Sequence, residues 1–223
     1  MKIILFGASG MVGQGVLREC LLDPGVEEVL SIGRSTTGQH DAKLREIVRT
    51  NLFDFSGIEA ELSGYDACFF CLGVSSAGMT EENYRRITYD ITIAAAETLA
   101  KQNPGMTFIY VSGTGTDSSE KGRSMWARVK GATENALLRM PFKAAYMFRP
   151  GGIVPLHGIQ SKTALYRIPY LVLAPVLPVL YRMFPKYVTT TEQIGRAMIH
   201  VAKSGAPKKI LENADINDIR STD

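Results

Sequence analysis

The chain has 223 residues, of which 45% are apolar and 21% charged, and its formal net charge is +3. This apolar fraction is sufficient for a core, and the charged fraction is typical of globular domains, so general disorder is excluded. Nucleic-acid-binding proteins usually carry a basic stripe. The sequence has none, so we expect no nucleic-acid partner.

The cysteines indicate a reducing environment. There are three, an odd number, and Cys68 and Cys71 form a C-x-x-C pair inside the apolar run 67–72. Redox-active pairs of this kind open a helix, whereas this run predicts a buried strand, so a role in the core is favoured. The first residues do not resemble a signal peptide. We therefore expect a cytoplasmic protein.

Strands and helices alternate along the chain. Apolar runs predict strands at 2–6, 29–32, 65–72, 107–111 and 144–148, with a strand or a helix–strand mixture at 44–48. Helical spacing predicts helices at 11–22, 84–101, 126–139 and 189–203, the last with Thr191 as its N-cap. The alternation predicts an α/β fold, a doubly wound parallel sheet of the Rossmann type. We expect one domain over 1–223, with residues 152–188 as a small C-terminal helical cap over a substrate.

A glycine-rich turn joins the first strand to the first helix. It reads Gly7-Ala8-Ser9-Gly10-Met11-Val12-Gly13. In such a turn the first glycine permits a sharp bend, the second lets a pyrophosphate approach the backbone, and the third lets the helix pack close to the strand. The N–H groups at the helix start then face the phosphates. The turn predicts a dinucleotide site, and a tight turn without a ligand is the alternative.

The residues after the second strand favour NADP over NAD. NAD-binding domains place Asp or Glu there to bind the ribose 2′-hydroxyl. This chain has Ser31-Ile32-Gly33-Arg34-Ser35 instead, without an acid. Arg34 is placed to bind a 2′-phosphate, with Ser35 assisting. The alternative is a surface arginine in a turn.

Several segments resemble the atypical short-chain dehydrogenase/reductase proteins, which are NAD(P)-binding and epimerase-like. The similarity is greatest to the Tat-interactive-protein-like oxidoreductase subgroup and extends over nearly the whole chain. The segments that carry it are 7–13, 33–34, 70–73, 129–131, 148–151 and the tail 211–219.

The resemblance implies roles for residues at matching positions. Residues 7–13 would bind phosphates, and Arg34 and Ser35 the 2′-phosphate. Ser112 or Thr114, just past the fifth strand, would place a catalytic hydroxyl near the substrate, although Ser112 is equally well a strand-end residue that bonds the backbone. The other implied cofactor contacts are Asn51 and Leu52 near adenine, Leu72 and Gly73 beside the ribose and nicotinamide, and Gly152 and Ile153 towards the carboxamide.

One departure from the family pattern bears on catalysis. Active relatives carry Y-x-x-x-K on the helix after the fifth strand, where the lysine lowers the tyrosine pKa and binds the ribose. Here the segment is Trp126-Ala127-Arg128-Val129-Lys130, so Lys130 is in place but the tyrosine is not. An indole N–H cannot act as a general acid near neutral pH.

Three functions therefore remain open, the third of which is a membrane-peripheral protein that uses residues 168–181. The first is an NADP-dependent oxidoreductase or epimerase-like enzyme that acts on an unidentified small substrate and uses another proton donor. The second is a non-catalytic NADP(H)-binding sensor or partner-binding protein. Candidate substitutes for the missing acid, each more typical of a packing role, are Tyr84, Tyr89, Tyr166 and Tyr170.

The remaining features are less specific. The histidines His40, His157 and His200 lack ligand spacing, so we expect no metal, and His157 is a weak pocket candidate. The apolar stretch 168–181 is shorter than the ~20 residues of a membrane span and contains prolines. It is typical of a core-covering helix pair, but a lid, a homodimer contact and a peripheral membrane contact also stay open.

Overall fold

The computed structural model describes residues 1–159 and 184–219. The strands of the main sheet in these two ranges are β1 (Lys2–Phe6), β2 (Glu28–Gly33), β3 (Leu44–Val48), β4 (Ala67–Phe70), β5 (Thr107–Val111), β6 (Ala144–Arg149) and β9 (Ile210–Glu212). These seven strands lie in the order β3-β2-β1-β4-β5-β6-β9, and every neighbouring pair is parallel. The order reverses between β1 and β4, as in doubly wound nucleotide-binding folds. The predicted Rossmann-type α/β fold is confirmed.

Helices cover both faces of this sheet. They are α1 (Met11–Leu22), α2 (Glu81–Arg85), α3 (Ile91–Gln102), α4 (Met125–Leu138), α5 (Thr191–Ser204) and α6 (Asn213–Asp218), with a π-helical turn at Arg86–Asp90 and a 3₁₀ turn at Glu59–Leu62. Alternate residues of β1 face opposite layers: Ile3 joins a core with α1 and α5, and Ile4 joins a core with α3 and α4. Burial on both faces explains the continuous apolar runs.

The helices α1 and α5 pack very closely, although they lie at opposite ends of the chain. A Cβ added to Gly15 would lie 2.5 Å from the Thr191 Cβ, and one added to Gly195 would lie 2.8 Å from the Glu19 Cγ. Small residues on each helix therefore permit the contact. The result is that the C-terminal helix α5 covers the helix that follows the glycine turn.

Some predicted element boundaries need correction. The long helix begins at Glu81, three residues before the predicted start, and is interrupted by the π-helical turn. The N-cap of α5 is Thr190, whose hydroxyl accepts a hydrogen bond from Gln193 N at 2.9 Å, so the prediction of Thr191 was wrong. A second sheet, in which β7 (Gly152–Val154) pairs in parallel with β8 (Val188–Thr190), was not predicted. The strand β9 was not predicted either.

Most of the expected cap falls outside the described residues. The apolar stretch 168–181, Tyr166 and Tyr170 lie between the described ranges, so their predicted roles stay predictions. Within 1–159 and 184–219, no helix combines the length and the apolar character that crossing a bilayer requires.

Candidate functional site

A cleft of about 570 Å³ lies where β1, β2 and β4 end. In an open parallel sheet, this edge at the strand-order reversal is where ligands bind. Nine predicted cofactor residues line the cleft: Gly7, Ala8, Ser9, Gly10, Arg34, Ser35, Leu52, Leu72 and Gly73. The fold therefore brings residues that are far apart in the sequence together in the lining of this cleft.

The glycine turn has the close packing that its pattern predicts. Gly7 has φ +80°, and an added Cβ would lie 2.7 Å from Leu72 N. A Cβ on Gly13 would lie 2.0 Å from the Gly7 carbonyl oxygen, which no real side chain tolerates. Gly10 precedes α1 as its N-cap residue, and its N–H donates to Gly7 O at 2.9 Å. The first turn of α1 has no acidic side chain, so the positive end of this helix stays available for an anion.

The other predicted cofactor residues do not line this cleft. Met11, Val12 and Gly13 belong to α1, behind the turn. The Asn51 side chain accepts a hydrogen bond from Phe53 N at 2.9 Å, and Gly152 and Ile153 lie in β7. Other residues that line the cleft were not predicted as cofactor contacts: Ser31, Ile32, Gly33, Thr50, Phe53, Cys71, Val74, Ile87 and Ile91. Of these residues, Ile87 and Ile91 could have been predicted from the sequence, because residues four apart lie on the same face of a helix.

Arg34 gives the cleft its charge. Among the described residues that line the cleft, it is the only one with a charged side chain. It is exposed, and its guanidinium has no hydrogen bond or ion pair with any residue of 1–159 or 184–219. An unpaired guanidinium beside a cleft is well suited to bind a phosphate.

Ser112 and Thr114 follow β5, Lys130 lies on α4, and none of the three lines the cleft. Lys130 Nζ donates to Ser112 O, and burial lowers the pKa of Lys130 to about 8. The buried Ser112 hydroxyl donates to Glu134 Oε1 at 2.5 Å. Thr114 is exposed, and its hydroxyl donates to Arg149 O at 3.0 Å. Both hydroxyls thus have protein partners, and Thr114 is the more accessible.

A buried ion pair supports this region. Glu134 on α4 has 0% exposure, and its carboxylate accepts from Arg149 Nε at 3.0 Å and from a second guanidinium nitrogen at 2.5 Å. Arg149 also donates to Ser118 Oγ at 2.6 Å and to Glu212 Oε1 at 3.1 Å. Together with the Ser112 bond, these contacts tie the end of β5 to α4 and β6.

Trp126 lies at the start of α4, one helical turn before Lys130. A Cβ added to Gly115 would lie 3.5 Å from the Trp126 ring, so the indole packs beside the loop that follows β5. Of the tyrosines considered as substitutes, Tyr84 is buried, which raises its pKa. The Tyr89 ring lies 4.1 Å from the Arg85 guanidinium carbon. These contacts favour packing roles for both tyrosines.

His157 is part of a cluster that sequence spacing did not reveal. Its Nε2 lies 2.5 Å from Glu192 Oε2, and Glu19 is close enough for the three residues to surround an ion. Arginines already pair with both carboxylates, however: Arg196 lies 3.1 Å from Glu19 and 3.0 Å from Glu192, and Arg18 also bonds Glu19. The cluster is thus an ion-pair network that joins α1, α5 and the loop after β7.

Comparison with known proteins identifies the family. FMP52 of Candida albicans, a mitochondrial protein, is 23% identical over 172 residues, which cover 74% of each chain. HTATIP2 of Rattus norvegicus is 28% identical over 153 residues, 67% of this chain and 62% of HTATIP2, less than two thirds of that protein. The Bordetella bronchiseptica enzyme WbmF, solved with NAD⁺, has the same fold, with a TM-score of 0.68 and 14% identity over 97% of this chain and 76% of WbmF.

The sequence pattern of one family matches residues 3–123, from the first strand through the loop after β5. This match includes the glycine turn, Arg34 and Ser112. The resemblance to the epimerase-like short-chain dehydrogenase/reductase proteins is confirmed. The chain belongs to the NAD dependent epimerase/dehydratase family.

Proposed function

We propose that this NAD(P)-binding protein prefers NADP(H), and that Arg34 sets the preference. The supporting observation is that Arg34 is the only charged residue among the described ones that line the cleft. An acid at this position would repel a 2′-phosphate, whereas a free guanidinium binds it. WbmF was solved with NAD⁺, so family membership alone does not decide between the two nucleotides.

Arg34→Ala is expected to weaken NADPH binding by about 10–100-fold, the equivalent of one or two hydrogen bonds to a charged group. NADH lacks the 2′-phosphate, so its affinity should stay within about twofold. Calorimetric titration of both nucleotides measures the change.

The matched control for Arg34→Ala is Arg139→Ala. This exposed arginine caps the far end of α4, away from the cleft, and the substitution removes the same charge. The proposal fails if the wild type binds NADH as tightly as NADPH, or if the nucleotide that co-purifies is NAD alone.

We further propose that the protein is an oxidoreductase acting on a small carbonyl or hydroxyl compound. The nucleotide would supply or accept a hydride. Lys130 would orient the ribose, and Thr114 or Ser112 would hold the substrate oxygen. Thr114 is the better candidate, since it is an exposed residue whose hydroxyl donates to a backbone carbonyl, whereas Ser112 is buried and donates to a buried carboxylate.

If the protein is an oxidoreductase, at least one compound in a panel of carbonyl compounds should oxidise NADPH. The oxidation is measured as the loss of NADPH absorbance at about 340 nm. We expect Lys130→Ala to abolish the turnover. Trp126→Phe should leave it within about threefold, because an indole supplies no proton. Tight NADPH binding without turnover anywhere in the panel would rule against an enzyme.

Trp126 favours the second candidate function, a non-catalytic NADP(H)-binding sensor or partner-binding protein. Such a protein needs the cleft but no general acid. We also propose that the protein is cytoplasmic, because Cys20, Cys68 and Cys71 are free thiols, as is usual in a reducing compartment.

A further inference from the structure

Phe53 is unusual for an aromatic residue that follows a strand. Its side chain has 39% exposure, although Leu52 before it and Phe55 after it are buried. It lines the cleft, together with Leu52 and Ile87. Exposed apolar surface of this kind inside a cleft commonly marks a contact with a ligand.

A cation is stacked on this ring. The Arg86 guanidinium carbon lies 5.1 Å from the centroid of Phe53. Arg86 opens the π-helical turn, and the next residue, Ile87, is itself part of the cleft wall. The stack therefore joins the loop after β3 to the helical segment after β4 and restrains an otherwise exposed ring.

The strand order indicates which part of a dinucleotide this ring would meet. The glycine turn follows β1, Arg34 follows β2 and Phe53 lies beyond β3, and these strands are neighbours in the order β3-β2-β1. If the pyrophosphate is bound over β1 and the 2′-phosphate beside β2, the adenine base lies further along the same direction, towards β3. The other end of the dinucleotide then points towards β4 and Gly73.

We propose that Phe53, held in place by Arg86, is the stacking surface for the adenine base. This inference rests on the proposed nucleotide binding and names residues for which the family resemblance implies no role. Aromatic rings bind bases through their π-faces without reading base identity. The pair thus contributes affinity for the adenosine half of the nucleotide and none for the nicotinamide half.

The test uses two fragments, 2′,5′-ADP for the adenosine half and nicotinamide mononucleotide for the other half, alongside NADPH. Phe53→Ala should weaken 2′,5′-ADP and NADPH by about tenfold or more and leave nicotinamide mononucleotide unchanged. Phe53→Tyr, which keeps the ring, should bind like the wild type. Arg86→Gln should weaken 2′,5′-ADP by about threefold, because it removes only the support of the ring.

Arg85→Gln is the matched control. Arg85 is the neighbouring exposed arginine and lies over Tyr89, which does not line the cleft, so its removal should not change 2′,5′-ADP binding. Unchanged binding of 2′,5′-ADP by Phe53→Ala, with NADPH still bound by the wild type, overturns this inference alone. A wild-type protein that binds neither NADPH nor 2′,5′-ADP overturns the proposed function as well.

Discussion

Arg149→Met is expected to lower the free energy of unfolding by about 3–5 kcal/mol. The substitution removes the guanidinium that pairs directly with the Glu134 carboxylate, which has 0% exposure and keeps its bond to the Ser112 hydroxyl. A buried charge without its partner is among the most costly defects in a protein interior. Urea denaturation of the two proteins at neutral pH measures the difference.

The control for Arg149→Met is Arg45→Met. Arg45 pairs with Glu28 at 3.1 Å on the surface of the sheet edge, and such exposed pairs contribute about 1 kcal/mol or less. The double variant Arg149→Met with Glu134→Leu should recover much of the lost stability, because it removes the unpaired charge as well. A loss below about 1 kcal/mol for Arg149→Met alone would mean that the ion pair is not structural.

Gly13→Ala is expected to damage both folding and nucleotide binding. The new Cβ would stand 2.0 Å from the Gly7 carbonyl oxygen, so α1 must move away from the turn. Overpacking of this kind costs about 1–3 kcal/mol or more. The shift also misaligns the backbone N–H groups that would hold the phosphates, so NADPH affinity should fall by about 100-fold, the equivalent of two such bonds. Thermal unfolding and NADPH titration give the two values.

Gly10→Ala separates packing from ligand contact. At Gly10 the added Cβ would meet only the Gly7 carbonyl oxygen, at 3.3 Å, so the stability should fall by about 1 kcal/mol or less. NADPH binding should still fall, because the methyl group would occupy the space where a phosphate approaches. If Gly13→Ala is as stable as Gly10→Ala, the close packing of α1 on the turn does not hold in solution.

The main sheet and the phosphate turn were predictable because their signals are local. A strand that is buried on both faces is visible in the sequence as an apolar run. Gly7, Gly10 and Gly13 all lie within one short segment of the chain. The pairing of β7 with β8 was not predictable, since each strand has three residues and 33 residues separate their ends. Strands this short leave no periodic pattern.

Those residues of the candidate site that are placed by local sequence signals were predicted, and those placed by tertiary packing were not. Arg34 could be located because its position relative to β2 is fixed by one strand–helix–strand unit. The bond between Ser112 and Glu134 could not, because it depends on how α4 packs against the end of β5. The stacking of Arg86 on Phe53 likewise joins two loops whose distance no sequence pattern specifies.

The close contact of α1 with α5 has a consequence for synthesis of the chain. The glycine turn at 7–13 leaves the ribosome long before residues 191–204, which cover the helix behind the turn. Until then, the buried side chains Val16 and Leu17 have no partner on that face from α5. The glycine turn is therefore made well before the helix behind it can reach its final packing, which requires α5.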